Sequence, residues 1–224
     1  GIQFKEDEGA FLAGALAALV AQEQDSDTVA GIYGVDIPPV KRFRNGFEQG
    51  VAYINPDIRA LGVYIDDFNA PDRGRSAAEQ FIGEGASVIF GAGGPTGSGG
   101  ITAAAQSDIY VIGVDQDEYL TTFGEGETPG SEYIISSAIK RVDQGVYDMV
   151  EALVLGEMDR FPGGENYLMD AALDGVGLAP KYEADIDDAI YEQVDEIFEM
   201  LVAGEIETGV DLVSGDLISE LEVE

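Results

Sequence analysis

Four short apolar runs, each running into Gly or Asp and each separated from the next by a helical stretch, constrain this chain more than anything else in it. They are TVAGIYG (Thr28–Gly34), IRALGVYI (Ile58–Ile65), ASVIFGAG (Ala86–Gly93) and IYVIGVD (Ile109–Asp115). Runs of this length read as strands covered on both faces, the usual condition of strands in a parallel sheet. The stretches between them read as helices. In Val40–Ile54, residues Val40, Phe43, Phe47, Val51 and Ile54 recur at spacings of three and four, and Asn55-Pro56-Asp57 ends the pattern. Pro71–Gly85 has Pro near its start and Gly at its end. Ile101–Gln106 begins another helix after a Gly-rich loop. Upstream, Ala10–Ala21 follows the acidic run Glu6-Asp7-Glu8. It predicts a buried helix with acids in its first turn, where the helix dipole favours them. Short buried strands alternating with helices imply an α/β fold, a parallel sheet with right-handed crossovers and helices on both faces.

The pattern loosens after Asp115. Thr121–Gly130 is rich in Gly and Glu and predicts an exposed loop. Tyr133–Lys140 predicts a strand and Arg141–Glu157 a long helix; Phe161–Glu165 predicts a loop and Tyr167–Pro180 contains a short strand. Ile186–Ala203 predicts a helix with Ile190, Val194, Ile197 and Leu201 on one stripe. Val210–Glu224 is acidic with scattered Leu and Val, and partial disorder is expected there.

Charge excludes several functions. Lys and Arg total 11 against 44 Asp and Glu, a formal charge of −33, and there is no His or Cys. A Ser-His-Asp triad, a Cys-His pair, a disulfide and a thiolate or imidazole metal site are therefore excluded. So negative a field repels nucleic acid. Yet 45% of residues are hydrophobic, enough for a core, so the charge belongs to the surface. At molar salt the Debye length shrinks to roughly 3 Å, which screens such repulsion, and a salt-loving source organism is expected. No apolar run approaches the ~18 residues of a membrane span, and Ala10–Ala21 lacks the positive flank of a signal peptide.

In an open parallel sheet, ligands bind beyond the carboxyl ends of the strands. The residues there are Asp66-Asp67-Phe68-Asn69, the glycines of Gly91–Gly100, Asp115-Gln116-Asp117-Glu118, and Lys140. Phe68 offers an aromatic face to a ligand ring, or else folds back on the core. The Gly run resembles a phosphate loop, but Gly100 stands where a Walker A motif needs Lys. Its glycines more simply admit a ligand to the backbone or open a helix. Asp115 and Asp117 suit sugar hydroxyls, a hard metal ion in a metal-assisted hydrolase, or plain acidic surface. Lys140, one of only four lysines, has either a ligand to meet or a local ion pair to make.

Seven segments, in this order, carry a family resemblance: FKEDEGAFLAG (Phe4–Gly14), GIYGVDIPPVKRFRNGFEQGVAYINPDI (Gly31–Ile58), YIDDFNAPDRGRSAA (Tyr64–Ala78), VIFGAGGPTGSGG (Val88–Gly100), IGVDQDEY (Ile112–Tyr119), ISSAIKRVD (Ile135–Asp143) and DGVGLAP (Asp174–Pro180). Over about residues 4–180 the chain resembles the basic membrane protein family, PnrA-like nucleoside-binding lipoproteins that serve ABC transporters. The resemblance implies a type I periplasmic-binding-protein fold with the ligand between two lobes. It implies that Phe68 stacks on the nucleobase, that backbone at Gly93 and Gly94 meets the ligand, that Asp115 holds ribose hydroxyls and that Lys140 contacts the ribose side. Three positions depart from the family pattern: Glu118 replaces a usual Gln, Ala70 stands where Asp is common, and Pro95 stiffens the Gly loop.

The family's N-terminal segment, with its own Asp and Phe-Asn ligand contacts and its lipidated cysteine, would precede Gly1. The chain therefore reads as mostly the second lobe (1–140), a helix expected to pack on the first lobe (141–166), a return to the second lobe with a closing helix (167–209) and an acidic tail (210–224). The implied function is extracytoplasmic binding, not catalysis, with a purine nucleoside favoured. Permease subunits are the implied partners, no cofactor is needed, and a lipid anchor outside this chain supplies the only membrane association. The implied place is the outer face of the plasma membrane, in a halophilic archaeon. A sugar-type or signalling protein on the same fold is the alternative.

Overall fold

A computed structural model describes residues 1–221; the last three residues of the acidic tail lie outside it. The strands are β1 (Ile2–Phe4), β2 (Thr28–Tyr33), β3 (Arg59–Tyr64), β4 (Val88–Ala92), β5 (Tyr110–Asp115), β6 (Ile134–Lys140), β7 (Tyr167–Met169) and β8 (Val176–Leu178). The helices are α1 (Glu6–Glu23), α2 (Pro38–Ile54), α3 (Pro71–Gly83), α4 (Pro95–Ala105), α5 (Val142–Leu155), α6 (Asp188–Val202) and the short α7 (Ile218–Leu221). Six strands form the main sheet in the order β3-β2-β4-β5-β6-β8. All its pairs are parallel except β6 with β8.

Alternate residues of the central strands enter two separate cores. Val29, Tyr33, Val88, Phe90, Ile112 and Ile135 face α1, α2 and α6. Ala30, Ile32, Ile89 and Val111 face α3 and α4. Helices on both faces of a parallel sheet are what the apolar runs implied. The helix α1 is apolar around most of its circumference because it lies inside, between the sheet, α2 and α6. None of the described helices is long and apolar enough to cross a membrane.

The structure corrects three local expectations. First, the Gly-rich stretch is not a loop to Gly100: β4 runs to Ala92, Gly94 caps the helix and α4 starts at Pro95. Pro95 occupies a first-turn position where its missing N–H costs nothing. Second, residues 167–180 hold two strands, β7 and β8. Third, residues 210–217 are packed. Val210 bridges Leu217, Arg42 donates to the Leu212 carbonyl (2.7 Å) and Asn45 to that of Gly215 (2.6 Å).

One part stands outside the main sheet. The strands β1 and β7 pair in parallel as a separate ladder, and α5 lies against it with Gly145 close to Ile2 and Met169. Most of α5 is uncovered: Val142, Val146, Val150, Leu153 and Val154 are exposed, Val154 to 78%.

Candidate functional site

The sheet order reverses at β2: the chain crosses from β2 to β3 on one side, then returns to β4 on the other. The carboxyl ends of β2 and β4 therefore form a topological switch point, where open α/β sheets hold ligands. Gly34 follows β2 there and its N–H donates to the Ala92 carbonyl (3.2 Å). Phe68, carried past the end of β3, lies against this junction, with its ring where a Cβ on Gly34 would stand (2.4 Å). The Thr96 N–H donates to the Phe68 carbonyl (3.1 Å), and the Thr96 hydroxyl ties the same loop by donating to Asp67 (2.7 Å). Phe68 is half-buried and packs on the core's margin. One face of the side chain thus rests on the protein while the residue stays accessible at the sheet edge.

Next along the edge comes Gly93-Gly94. Gly94 has φ +56° and ψ −143°, a conformation open essentially to glycine alone. Beside it is a concavity of about 470 Å³ lined by Gly94, Ser98, Asp115, Gln116, Glu118 and Arg75, among others. Asp115 ends β5 with φ +66°, a strained value for a side-chain-bearing residue, and its side chain is 51% exposed.

Asp115 pairs in register with Ile139, which places Lys140 at its side. The Lys140 ammonium lies 3.2 Å from Asp115 Oδ1 and 3.7 Å from Glu6 Oε1, above the rings of Phe4 and Phe43 (5.6 and 5.8 Å to the centroids). Glu6 is buried and its other oxygen accepts from Arg42 Nε at 2.7 Å. Lys140 is therefore at the sheet edge and ion-paired, the local pairing that was one of its two sequence readings. Arg42, Glu6, Lys140 and Asp115 sum to zero charge.

Sequence reasoning missed Glu6, Arg42 and the two phenylalanines. It placed the acidic triplet at a helix start and stopped there, yet all three acids are buried. Asp7 accepts from the Thr208 hydroxyl and Glu8 from the Ala171 N–H (2.7 Å). Burial pushes the Asp7 carboxyl above its ordinary value, against the Thr208 hydrogen bond. Arg42 lies off the apolar stripe of its helix, on the side of Gly46 and Gly50 that meets α1, so its burial had no signal in the hydrophobic period.

Asp117 does not join Asp115. Its carboxylate accepts from the Tyr119 N–H (3.1 Å) and the Tyr182 hydroxyl (2.6 Å), and Tyr182 stacks on Tyr119 at 3.9 Å. That hydrogen bond pushes the Tyr182 hydroxyl up to about 12. Asp117 is thus engaged within this turn, while Asp115 pairs with Lys140. Among the described residues no three acidic, His or Cys side chains group so as to hold a metal.

Sheet order and helices on both faces define a periplasmic-binding-protein-like α/β fold. A solved ABC transporter solute-binding protein from Aeropyrum pernix superposes with a TM-score of 0.73 at 25% identity, over 91% of this chain and 64% of that one. The chain belongs to the PnrA-like family of ABC transporter substrate-binding proteins, whose pattern it matches over residues 1–210. It is 32% identical over 217 residues to the CD4+ T-cell-stimulating antigen of Listeria monocytogenes, covering 92% of this chain and 58% of that protein. It is 28% identical over 206 residues to the ABC transporter nucleoside-binding protein BmpA of Lactococcus lactis, covering 88% and 57% respectively. The chain thus spans somewhat more than half the length of these relatives.

Proposed function

We propose that this chain is part of the extracytoplasmic ligand-binding component of an ABC importer, and that its ligand is a nucleoside, a purine nucleoside in preference. The observation that carries the reading is the row Phe68, Gly93-Gly94, Asp115 and Lys140 along one sheet edge. An aromatic face at one end suits a nucleobase. A half-exposed carboxylate beside an ammonium at the other end suits a pair of vicinal hydroxyls, one group accepting and one donating. The local charges cancel, which favours a neutral ligand over a phosphorylated one. The name of the Lactococcus relative supports the same ligand class.

A single lobe encloses half a ligand. In this reading the uncovered apolar row of α5 is where the other lobe packs, the two lobes close on the nucleoside, and the closed form docks to permease subunits at the outer face of the membrane. A lipid anchor outside this chain would hold it there. The test is Phe68→Ala in the full-length protein: loss of a stacked base predicts about 1–3 kcal/mol weaker nucleoside binding. A negligible loss contradicts base stacking and favours a sugar-type ligand.

A further inference from the structure

We infer that Glu118 is a positioning residue, a buried clamp that fixes the three strand ends carrying Gly94, Asp115 and Lys140 relative to one another. Only 2% of the residue is exposed, and its carboxylate is met by donors from different elements. The Val114 N–H, next to Asp115, donates to Oε1 (3.1 Å). The Ser98 hydroxyl, in the first turn of α4 behind Gly94, donates to Oε2 (2.9 Å). The Thr122 hydroxyl donates to the same oxygen. The residue's own N–H donates to Ser137 Oγ (3.0 Å), on β6 three residues before Lys140. One residue therefore links α4, β5 and β6, the three elements whose ends carry the site.

The sequence makes room for this at Gly113. A Cβ there would stand 2.7 Å from both Glu118 Cβ and Ser137 Oγ. Residues 113 to 118 accordingly act as a unit: the glycine opens the space, Asp115 turns out at positive φ, and Glu118 folds back beneath it. A residue held in a strained conformation persists only when its surroundings over-determine it, and the Val114–Glu118 bond is the constraint immediately beside Asp115. A carboxyl group suits this position because its two oxygens accept from three donors, Val114, Ser98 and Thr122, although burial makes its charge costly. Glutamine would keep the acceptor for Val114, and the Ser98 hydroxyl would then turn to the Gly94 carbonyl at 3.3 Å.

The clamp stands apart from ligand identity; its effect on affinity rests on the nucleoside reading. Both are measured on the full-length protein with Glu118→Ala, Glu118→Gln and Ser98→Ala. Hydrogen exchange is followed in segments 93–98, 112–116 and 136–140, with 29–33 in β2 as control, and inosine and adenosine binding by calorimetry. Glu118→Ala is expected to speed exchange about tenfold or more in all three site segments while sparing the control, the scale of losing hydrogen bonds to a charged group. It should weaken nucleoside binding by a similar factor, and Glu118→Gln should restore most of both. Faster exchange confined to 112–116, an equal change in the control, or unchanged affinity in a nucleoside-binding protein would overturn the clamp. If the wild type binds neither nucleoside, the ligand reading fails and exchange alone decides the clamp. If Glu118→Ala does not fold, Ser98→Ala decides: faster exchange in both 93–98 and 112–116 supports the clamp, and a change in 93–98 alone overturns it.

Discussion

At the scale of single residues, the informative groups are charged ones placed where burial makes them expensive. Glu6, Asp7, Glu8, Arg42 and Glu118 are all buried in a chain whose other acids lie mostly at the surface, and each has a named partner. Burial raises the Glu118 carboxyl above its ordinary value, against lowering by Thr122, Val114 and Ser98. The folded state then holds a proton that the unfolded state has released, so this group's contribution to stability falls as pH rises from about 4.3 through the raised value. Glu118→Gln removes that dependence. In urea unfolding across this window, the variant is expected to gain on the wild type as pH rises, with the smallest difference at the acid end. A difference independent of pH contradicts the burial cost. The four strand-end positions Phe68, Gly93-Gly94, Asp115 and Lys140 were legible in the sequence because a parallel sheet delivers ligands to strand ends whatever the residues. Glu6 and Arg42 were not: they lie 36 residues apart, and only the packing of α1 on α2 brings them together.

At the scale of elements, α1 and α2 meet backbone to backbone. A Cβ on Gly50 would stand 2.0 Å from the Phe11 carbonyl oxygen, and one on Gly14 equally close to that of Phe47. Gly50→Ala, despite the helix propensity of alanine, is expected to destabilise by about 1–3 kcal/mol through overpacking, read as a lower denaturation midpoint. An unchanged or higher midpoint contradicts the close contact. The long periodic elements were readable, since α2 and α6 bury the stripes their spacing marks. The start of α4 was not. Pro-Thr-Gly-Ser-Gly-Gly has almost no helix propensity, and glycines on both helices let α3 approach: a Cβ on Gly99 would stand 2.6 Å from Pro71 of α3, and one on Gly74 of α3 would clash with the Thr96 carbonyl. The three-residue strands β1, β7 and β8 carry too few residues for a period to show.

At the scale of the whole molecule, the −33 charge lies around a site whose central ion pairs cancel. Self-repulsion of the acidic surface predicts a thermal midpoint that rises between about 0.1 M and about 1 M KCl, as the Debye length falls from about 10 Å to about 3 Å; a flat or falling midpoint would contradict that self-repulsion. The same charge leaves a neutral nucleoside free to enter, because charge repulsion acts on polyanions and not on an uncharged ligand. Family membership and fold place the chain among ABC substrate-binding proteins; the ligand is the central claim that remains to be measured. Calorimetry of the full-length protein in molar KCl, titrated with purine and pyrimidine nucleosides and with free sugars and amino acids, tests it most directly. Saturable heat with a purine nucleoside and none with free sugars or amino acids is the expected result, and tight binding of a sugar or amino acid with no heat from any nucleoside would contradict it.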